Sequence, residues 1–327
     1  MKNSPQKSGF NRLVSPSTRA FFHEGSRTAD YSAFDRLHGY IYARWPYLYI
    51  GIGTGEHRVA KRLAPILTAL QRVLPGSRNS KPAASSNGRL DPDVSTYTYA
   101  DGYHGKVVPL AAAAQLVTVN EPVRLPDLEQ VIPYVRARGI ILQNPDHIIA
   151  LECPCRSSRE NPCLPLDVCL IVGEPFASFV SEHHPRRSRW ISSSEAVAIL
   201  QAEDERGHVH HAFFKDAMLG RFYAICNCCA CCCGAMQSQQ RGTPMLASSG
   251  YISQVDEELC IGCGTCTETC QFGALSVDGL YAEIDPQLCM GCGICVSHCD
   301  QEALSMVLEP SKGQPLELMQ LIEEFAG

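Results

Sequence analysis

Between residues 59 and 73 the apolar positions Val59, Leu63, Ile66, Leu67, Leu70 and Val73 fall on one face of a helix, which Pro65 should kink and which Arg58, Lys61, Arg62 and Arg72 flank. An aromatic run precedes it, Tyr40 to Ile50 (YIYARWPYLYI), closed by a glycine turn at Gly51–Gly55. Residues 1–38 are polar, Ser- and Arg-rich and weakly periodic, and predict a poorly ordered arm. The Ser/Gly/Pro-rich stretch 76–95 predicts a linker or exposed loop. Beyond it, Ala111 to Val119 is apolar, Leu128 to Arg138 has helical spacing, and Ile140, Ile141, Ile148, Ile149 and Leu151 read as strand pieces. Ser192 and Glu195 have capping-box spacing ahead of Ala196, Val197, Ile199, Leu200 and Ala202. Gly207 should stop that helix, and HVHHAF then alternates like a strand. Such a unit is sometimes half of a winged helix, but plain packing is the better expectation, and no basic recognition helix accompanies it.

Cysteine changes the picture. Of 18 in the chain, eight lie between Cys260 and Cys299 and ten between Cys153 and Cys233. The first eight form two repeats, VDEELCIGCGTCTETCQFGAL from Val255 and IDPQLCMGCGICVSHCDQEAL from Ile284, each reading C-x2-C-x2-C-x3-C. This is the thiolate spacing of bacterial 4Fe-4S sites. Three thiolates within seven residues need tight intervening turns, which Gly262, Gly264, Gly291 and Gly293 permit. The fourth cysteine sits too far along to close on its own three and crosses to the other set. The expected ligands are therefore Cys260, Cys263, Cys266 and Cys299 for one cluster, and Cys289, Cys292, Cys295 and Cys270 for the second. Zinc knuckles place two cysteine pairs across a longer spacer, so zinc is the weaker reading of these repeats.

The other ten are less orderly. Cys153, Cys155, Cys163 and Cys169 make one group (CPCRSSRENPCLPLDVC), and Cys226, Cys228, Cys229, Cys231, Cys232 and Cys233 a second (CNCCACCC). As a helix the octapeptide would put Cys226, Cys229 and Cys233 on one face. As a strand it would pair Cys226 with Cys228 and oppose them with Cys229, Cys231 and Cys233. Either way it presents thiols in two directions and can serve two sites. One or two further Fe–S clusters are expected here, with zinc as the alternative. Arg156 is a candidate donor to a cluster sulfur; His208, His210 and His211 lack a ligand-like spacing.

Over about 60 residues the two repeats resemble the bacterial dicluster ferredoxin family. The resemblance implies a small pseudo-twofold α+β domain with two 4Fe-4S clusters. One departure stands out: that family usually carries Pro after each fourth cysteine, where this chain has Gln271 and Asp300. A carboxylate at 300 should push the potential of the cluster held by Cys299 down. Across roughly 40–310, CPCR, CLPLDVCLIVGEPF and ICNCCACCC resemble a larger group of Cys-rich 4Fe-4S ferredoxin-like proteins, which implies electron transfer and no particular reaction. The fold class expected is α+β: a C-terminal pseudo-twofold dicluster ferredoxin domain plus a mixed Cys-rich N-terminal and central domain. The expected divisions are an arm at 1–38, an aromatic and basic amphipathic region at 39–125, a Cys-rich metal-binding domain at 126–249, the dicluster domain at 250–310 and a tail at 311–327.

Charge and composition then limit function and place. The net charge of −6 conceals a +8 head, with 14 Lys/Arg against 6 Asp/Glu in residues 1–100, and a −12 tail, with 1 against 13 in residues 250–327. An acidic tail suits a basic redox protein partner, and head-to-tail docking within the chain is the plainer alternative. No run approaches a membrane-spanning helix and no secretory leader opens the chain, so a reducing cytoplasm is expected, where clumped thiols bind metal rather than pair as disulfides. The aromatics and basic helix of 40–74 suit a docking surface, for a partner or for the inner face of a membrane as a peripheral contact. Nucleic acid is not expected as a partner. GIGTGEHRVA (Gly51–Ala60) has the wrong glycine pattern for a dinucleotide or P-loop site. The best-supported function is a multi-cluster iron–sulfur protein passing single electrons between a donor and an acceptor. The alternatives are a reductase whose central domain carries the active site and is fed by the ferredoxin domain, and, more weakly, an Fe–S redox sensor.

Overall fold

The computed structural model describes residues 14–55, 102–134 and 138–326. Three helices open it, α1 (Pro16–Arg27), α2 (Ala33–Arg44) and α3 (Pro46–Gly53). Next come β1 (Tyr103–Val107), α4 (Leu110–Thr118), β2 (Val123–Leu125), β3 (Ile140–Leu151), α5 (Pro154–Ser157) and β4 (Cys169–Glu174). They are followed by α6 (Phe176–His183), β5 (Ser188–Ile191), α7 (Ser193–Glu205), β6 (Val209–Lys215) and β7 (Arg221–Cys228). The chain continues through α8 (Gly234–Gln240), β8 (Leu246–Ala247), β9 (Tyr251–Val255), α9 (Thr265–Thr269), β10 (Leu275–Ser276) and β11 (Glu283–Ile284). It ends with α10 (Ile294–Ser297), β12 (Leu304–Leu308) and α11 (Leu318–Ala326). Helices and sheets are both present, as an α+β chain requires.

The eight strands β1 to β8 form one sheet in the order β2-β3-β4-β7-β6-β1-β8, with β5 on the same edge of β3 as β2. Neighbours run antiparallel except β1 and β8. Side chains alternate between two cores. Ile148, Ala150, Leu170, Val172 and Ile225 face α4, α7 and α11. Ile149, Leu151, Cys169, Ile171 and Ala224 face the opposite core, which holds Phe21, Tyr42 and Phe179 of the other helical layer. Because both faces are covered, every residue of β6 is buried, His210, His211 and Lys215 included. Alternating hydrophobicity is lost in a strand of that kind.

Residues 16–27 and 33–44, which the sequence places in a disordered arm and at its border, are capped helices. Ser15 caps α1 with Pro16 in the first turn, and Ser32 and Asp35 complete a capping box on α2. Their polar faces hide the periodicity, but Phe21 is fully buried. Gly39 lets α2 lie against the turn after β6: a Cβ there would stand 2.0 Å from the Ala217 carbonyl oxygen. The aromatic run is mostly packed: Tyr42 is buried, and the Tyr47 hydroxyl donates to the Glu152 carbonyl at 2.9 Å. Phe34, Leu37, Ile41, Trp45, Leu48 and Ile52 keep an exposed apolar stripe along α2 and α3. The expected helix at 59–73 and the linker at 76–95 lie outside the described residues.

Residues 128–134 bury Leu128, Val131 and Ile132 in turns rather than in the helix their spacing suggests. Pro133 lacks the N–H an interior helical turn needs. The strand pieces from 140 to 151 join as β3, with a register shift between Gln143 and Ile148. Ser192 accepts from the Glu195 N–H and starts α7; Gly207 in the left-handed region (φ 75°) ends it. The strand after it is central in the sheet, which is no winged helix. In the repeats, β9 pairs with β12 and β10 with β11, both antiparallel.

Candidate metal centres

Each repeat turns at a pair of left-handed glycines, Gly262 and Gly264 (φ 63° and 82°) and Gly291 and Gly293 (φ 65° and 85°). Two of them are also sterically required: a Cβ on Gly262 would lie 2.7 Å from the Leu280 carbonyl oxygen, and one on Gly291 2.1 Å from that of Tyr251. These turns gather the sulfurs. Cys260, Cys263, Cys266 and Cys299 line one pocket with Gly262 and Gly264. Cys270 comes instead to Cys289, Cys292 and Cys295, close enough to act on the charge of Cys292 and Cys295. Each set thus takes its fourth thiol from the other repeat. Donors point at the sulfurs: the Ala282 N–H reaches Cys260 Sγ at 3.4 Å, the Ala274 N–H reaches Cys270 Sγ at 3.3 Å, and Ser253 Oγ stands 3.0 Å from Cys295 Sγ. The donor chemistry and the turns fit a 4Fe-4S cluster in each set.

The sets differ in depth. Cys263 is exposed, whereas Cys289 and Cys295 are buried, and burial pushes Cys295 up to about 11 and Cys292 further. The deeper set faces the central sheet. Ile294 is 1% exposed and shares a core with Cys228 and Cys233. Gln271, next to Cys270, spans the gap: its Oε1 accepts from the Ala230 N–H at 2.9 Å and its Nε2 donates to the Gly207 carbonyl at 3.0 Å. A proline could make neither bond, which explains why Gln stands where the resembled family has Pro. Asp300, at the matching position of the second repeat, is exposed.

The ten central cysteines do not divide as they do in the sequence. The octapeptide is strand, then turn, then helix start. Cys226 and Cys228 end β7 on one side of the strand, the Cys232 and Cys233 N–H groups donate to the Cys229 carbonyl, and Cys233 caps α8. Six thiols consequently stand as successive neighbours around a ring, each acting on the charge of the next, in the order Cys153, Cys155, Cys233, Cys228, Cys226, Cys169 and back to Cys153. The other four, Cys163, Cys229, Cys231 and Cys232, gather with all sulfurs within 4.8 Å of one another. Two directions of presentation are present, but they follow the strand–turn–helix path rather than either regular period.

Charge within the ring is uneven because six crowded thiols cannot all ionise. Hydrogen bonds from Cys169 and Cys228 pull Cys226 down to about 6, and those from Cys155 and Cys228 hold Cys233 well below the ordinary thiol range. Cys153 is pushed up to about 12, first by its bond to Cys155. A bound metal ion would remove the remaining protons. The ring thiols, with Cys229 and Cys232, line a pocket that is partly open to solvent. Tyr42 and Tyr223 line it too, their hydroxyls 2.8 Å apart, with Lys215 Nζ 4.4 Å from the centre of the Tyr42 ring. Sequence reasoning passed over these three, since they lie on distant elements.

Arg156 has a different task from the one its position beside CPC suggests. Its backbone N–H points at Cys153 Sγ (3.5 Å), but the guanidinium turns away, donating to Glu203 at 2.5 Å, the Asn227 carbonyl at 2.9 Å and the Pro165 carbonyl at 2.6 Å. Burial alone would raise Glu203; bonds from His208 and Arg156 outweigh it and hold the carboxyl below its usual range. Arg156 thereby ties α5, α7 and β7 together beneath the ring. His208 belongs to this network, and His210 bonds Asn227 at 2.6 Å.

Residues 253–276 and 282–305 match the 4Fe-4S binding domain family. No curated protein and no solved structure matches the chain. The family match makes the repeats an iron–sulfur module and supports electron transfer in general terms. Among the described residues no helix is long and apolar enough to cross a membrane.

Proposed function

We propose that this chain is a multi-centre electron-transfer protein in which the dicluster module feeds, or is fed by, a third iron–sulfur centre in the central domain. Cys260, Cys263, Cys266 and Cys299 hold one 4Fe-4S cluster, Cys289, Cys292, Cys295 and Cys270 the second, and the six-thiol ring holds the third centre. Such centres supply reversible one-electron chemistry when bound. The residues of the chain set where it happens. Cys263 keeps the outer set at the surface, where Leu259, Ile261 and Leu280 are exposed among Glu257, Glu258 and Asp278, a surface suited to a basic redox partner. Gln271 and Ile294 hold the inner set against the octapeptide. That direct seat on the thiol-rich loop is the observation that carries the proposal.

The test is metal and sulfide analysis of anaerobically purified full-length protein, with EPR during stepwise reduction. Iron above the about eight expected of two cubanes, and a further signal coupled to the inner cluster, are the expected results. About eight irons together with ring thiols open to alkylation in the native protein would sink the third centre. The pocket beside the ring favours one second reading, a reductase that uses the Tyr42–Tyr223 pair. Tyr42→Phe would then suppress substrate reduction while leaving the EPR signals and their potentials in place; in a pure carrier it would change neither.

A further inference from the structure

We infer that Cys163, Cys229, Cys231 and Cys232 form a separate site for one thiophilic divalent ion, zinc in the first instance. The inference stands on different residues from the electron-transfer reading and does not depend on it. The geometry is that of a single centre. Cys163 Sγ lies 3.2 Å from Cys231 Sγ and 3.6 Å from Cys229 Sγ, and Cys231 Sγ lies 3.7 Å from Cys232 Sγ. Four sulfurs bound to one zinc at about 2.3 Å stand about 3.8 Å apart at the edges of their tetrahedron. A cubane asks for something else, because each thiolate binds a different iron and the four must spread around the whole cluster.

This same molecule shows the contrast. Among the described residues, Cys163, Cys229, Cys231 and Cys232 are the set drawn within 4.8 Å, whereas the two ferredoxin sets are not. Nor does the ring fit a single ion: among the described residues no three of its thiols lie within 4.8 Å of one another. No thiol is shared: Cys163 bonds Cys231 and Cys229, and no ring thiol lies within 4.8 Å of all four sulfurs.

The surroundings are built to hold this turn. Arg159 Nη2 donates to the Cys232 carbonyl at 2.9 Å and to Gln237 Oε1 at 2.8 Å, and Gln237 Nε2 donates to the Cys231 carbonyl at 2.8 Å. These contacts fix the backbone carrying three of the thiols and orient them as outer-shell partners do at metal sites. The Arg159 guanidinium also offsets the net charge of about −2 that four thiolates leave on a divalent ion. Binding releases the thiol protons and transfers no electron. Cys231 is exposed, so the ion exchanges from the surface. Its work is to clamp the loop around Cys163 onto the octapeptide.

The experiment uses full-length protein purified anaerobically. Expected are about one zinc per chain, a zinc-edge absorption spectrum with four sulfur neighbours and no metal neighbour, and loss of zinc without loss of iron in Cys163→Ser. Cobalt added after mild chelation should give the strong visible bands of tetrahedral thiolate cobalt. The absorption spectrum and cobalt titration use the unaltered chain, so they decide even if Cys163→Ser misfolds. Zinc and cobalt both below a tenth of an equivalent would overturn the assignment. So would a metal–metal shell at these thiols, or a fall of about four irons in Cys163→Ser, which would put a cubane there.

Discussion

Replacing Gln271 with proline restores the residue that dicluster ferredoxins usually carry after the fourth cysteine, so the clusters themselves should form. It removes two hydrogen bonds across the seam, from the Ala230 N–H and to the Gly207 carbonyl, at 2.9 and 3.0 Å. A neutral hydrogen bond is worth about 0.5–1.5 kcal/mol net, so the pair contributes about 1–3 kcal/mol to docking, or roughly 5- to 150-fold in the docked population. Gln271 is only half-buried, so water can replace part of the loss and the lower half of that range is expected. Amide exchange is the assay. Protection at Ala230 and in the Gly207–Val209 segment should fall by that factor in Gln271→Pro while iron per chain stays constant. Asp300→Pro, at the exposed counterpart, should leave protection unchanged. Undiminished protection in Gln271→Pro would show that the remaining contacts, Ile294 packing and His298 against the Glu205 carbonyl among them, hold the seam without it. Lost iron would show that Gln271 serves its own cluster, and either result refutes the reasoning.

Three more expectations follow from named groups. Cys299→Ala should abolish the EPR signal of the Cys260, Cys263 and Cys266 cluster and spare that of Cys289, Cys292 and Cys295; the reverse pattern would break the crossover. Asp300→Asn should raise the potential of the outer cluster by an amount that shrinks with added salt, because that carboxylate acts on Cys263 across solvent; protein-film voltammetry at two ionic strengths checks it. Burial holds Lys106 down at about 7 and Lys215 at about 8, against 10.5 for an ordinary lysine. Between those values and 10.5 the unfolded chain binds more protons than the folded one, so stability should rise with pH across that window. Urea midpoints at pH 7 and 9.5 should show the rise, and Lys106→Met should flatten it.

How far the sequence could be read depended on how far apart the cooperating residues lie. The repeats are local: seven residues and two glycines make a turn, so Cys260 to Cys299 stand out at once. The ring is not. Cys153, Cys155 and Cys169 meet Cys226, Cys228 and Cys233 only because β4 pairs with β7 in the sheet, through Leu170 opposite Ile225. Cys163 leaves its sequence neighbours for the octapeptide because the loop between α5 and β4 carries it across. Helix α7 was legible from Ser192 and Gly207, since caps are local chemistry, whereas α1 and α2 hid behind polar faces. Lys106 and Lys215 gave no signal of burial, because a strand covered on both sides takes a lysine where its amine finds a hydrogen-bond partner: Lys106 donates to the Gln314 carbonyl at 2.8 Å.

Gln271 and Asp300 also bear on how a duplicated unit acquires direction. Two copies of one motif, joined in tandem, have interchangeable ends, and nothing in their eight cysteines says which end belongs indoors. One amide side chain, with the packing of Ile294, does. By reaching Ala230 and Gly207 it makes one end a fixture of the host, and the carboxylate at the equivalent place leaves the other end to the medium. The module is thereby mounted one way round, and exchanging the residues at 271 and 300 would weaken that mounting without touching a ligand.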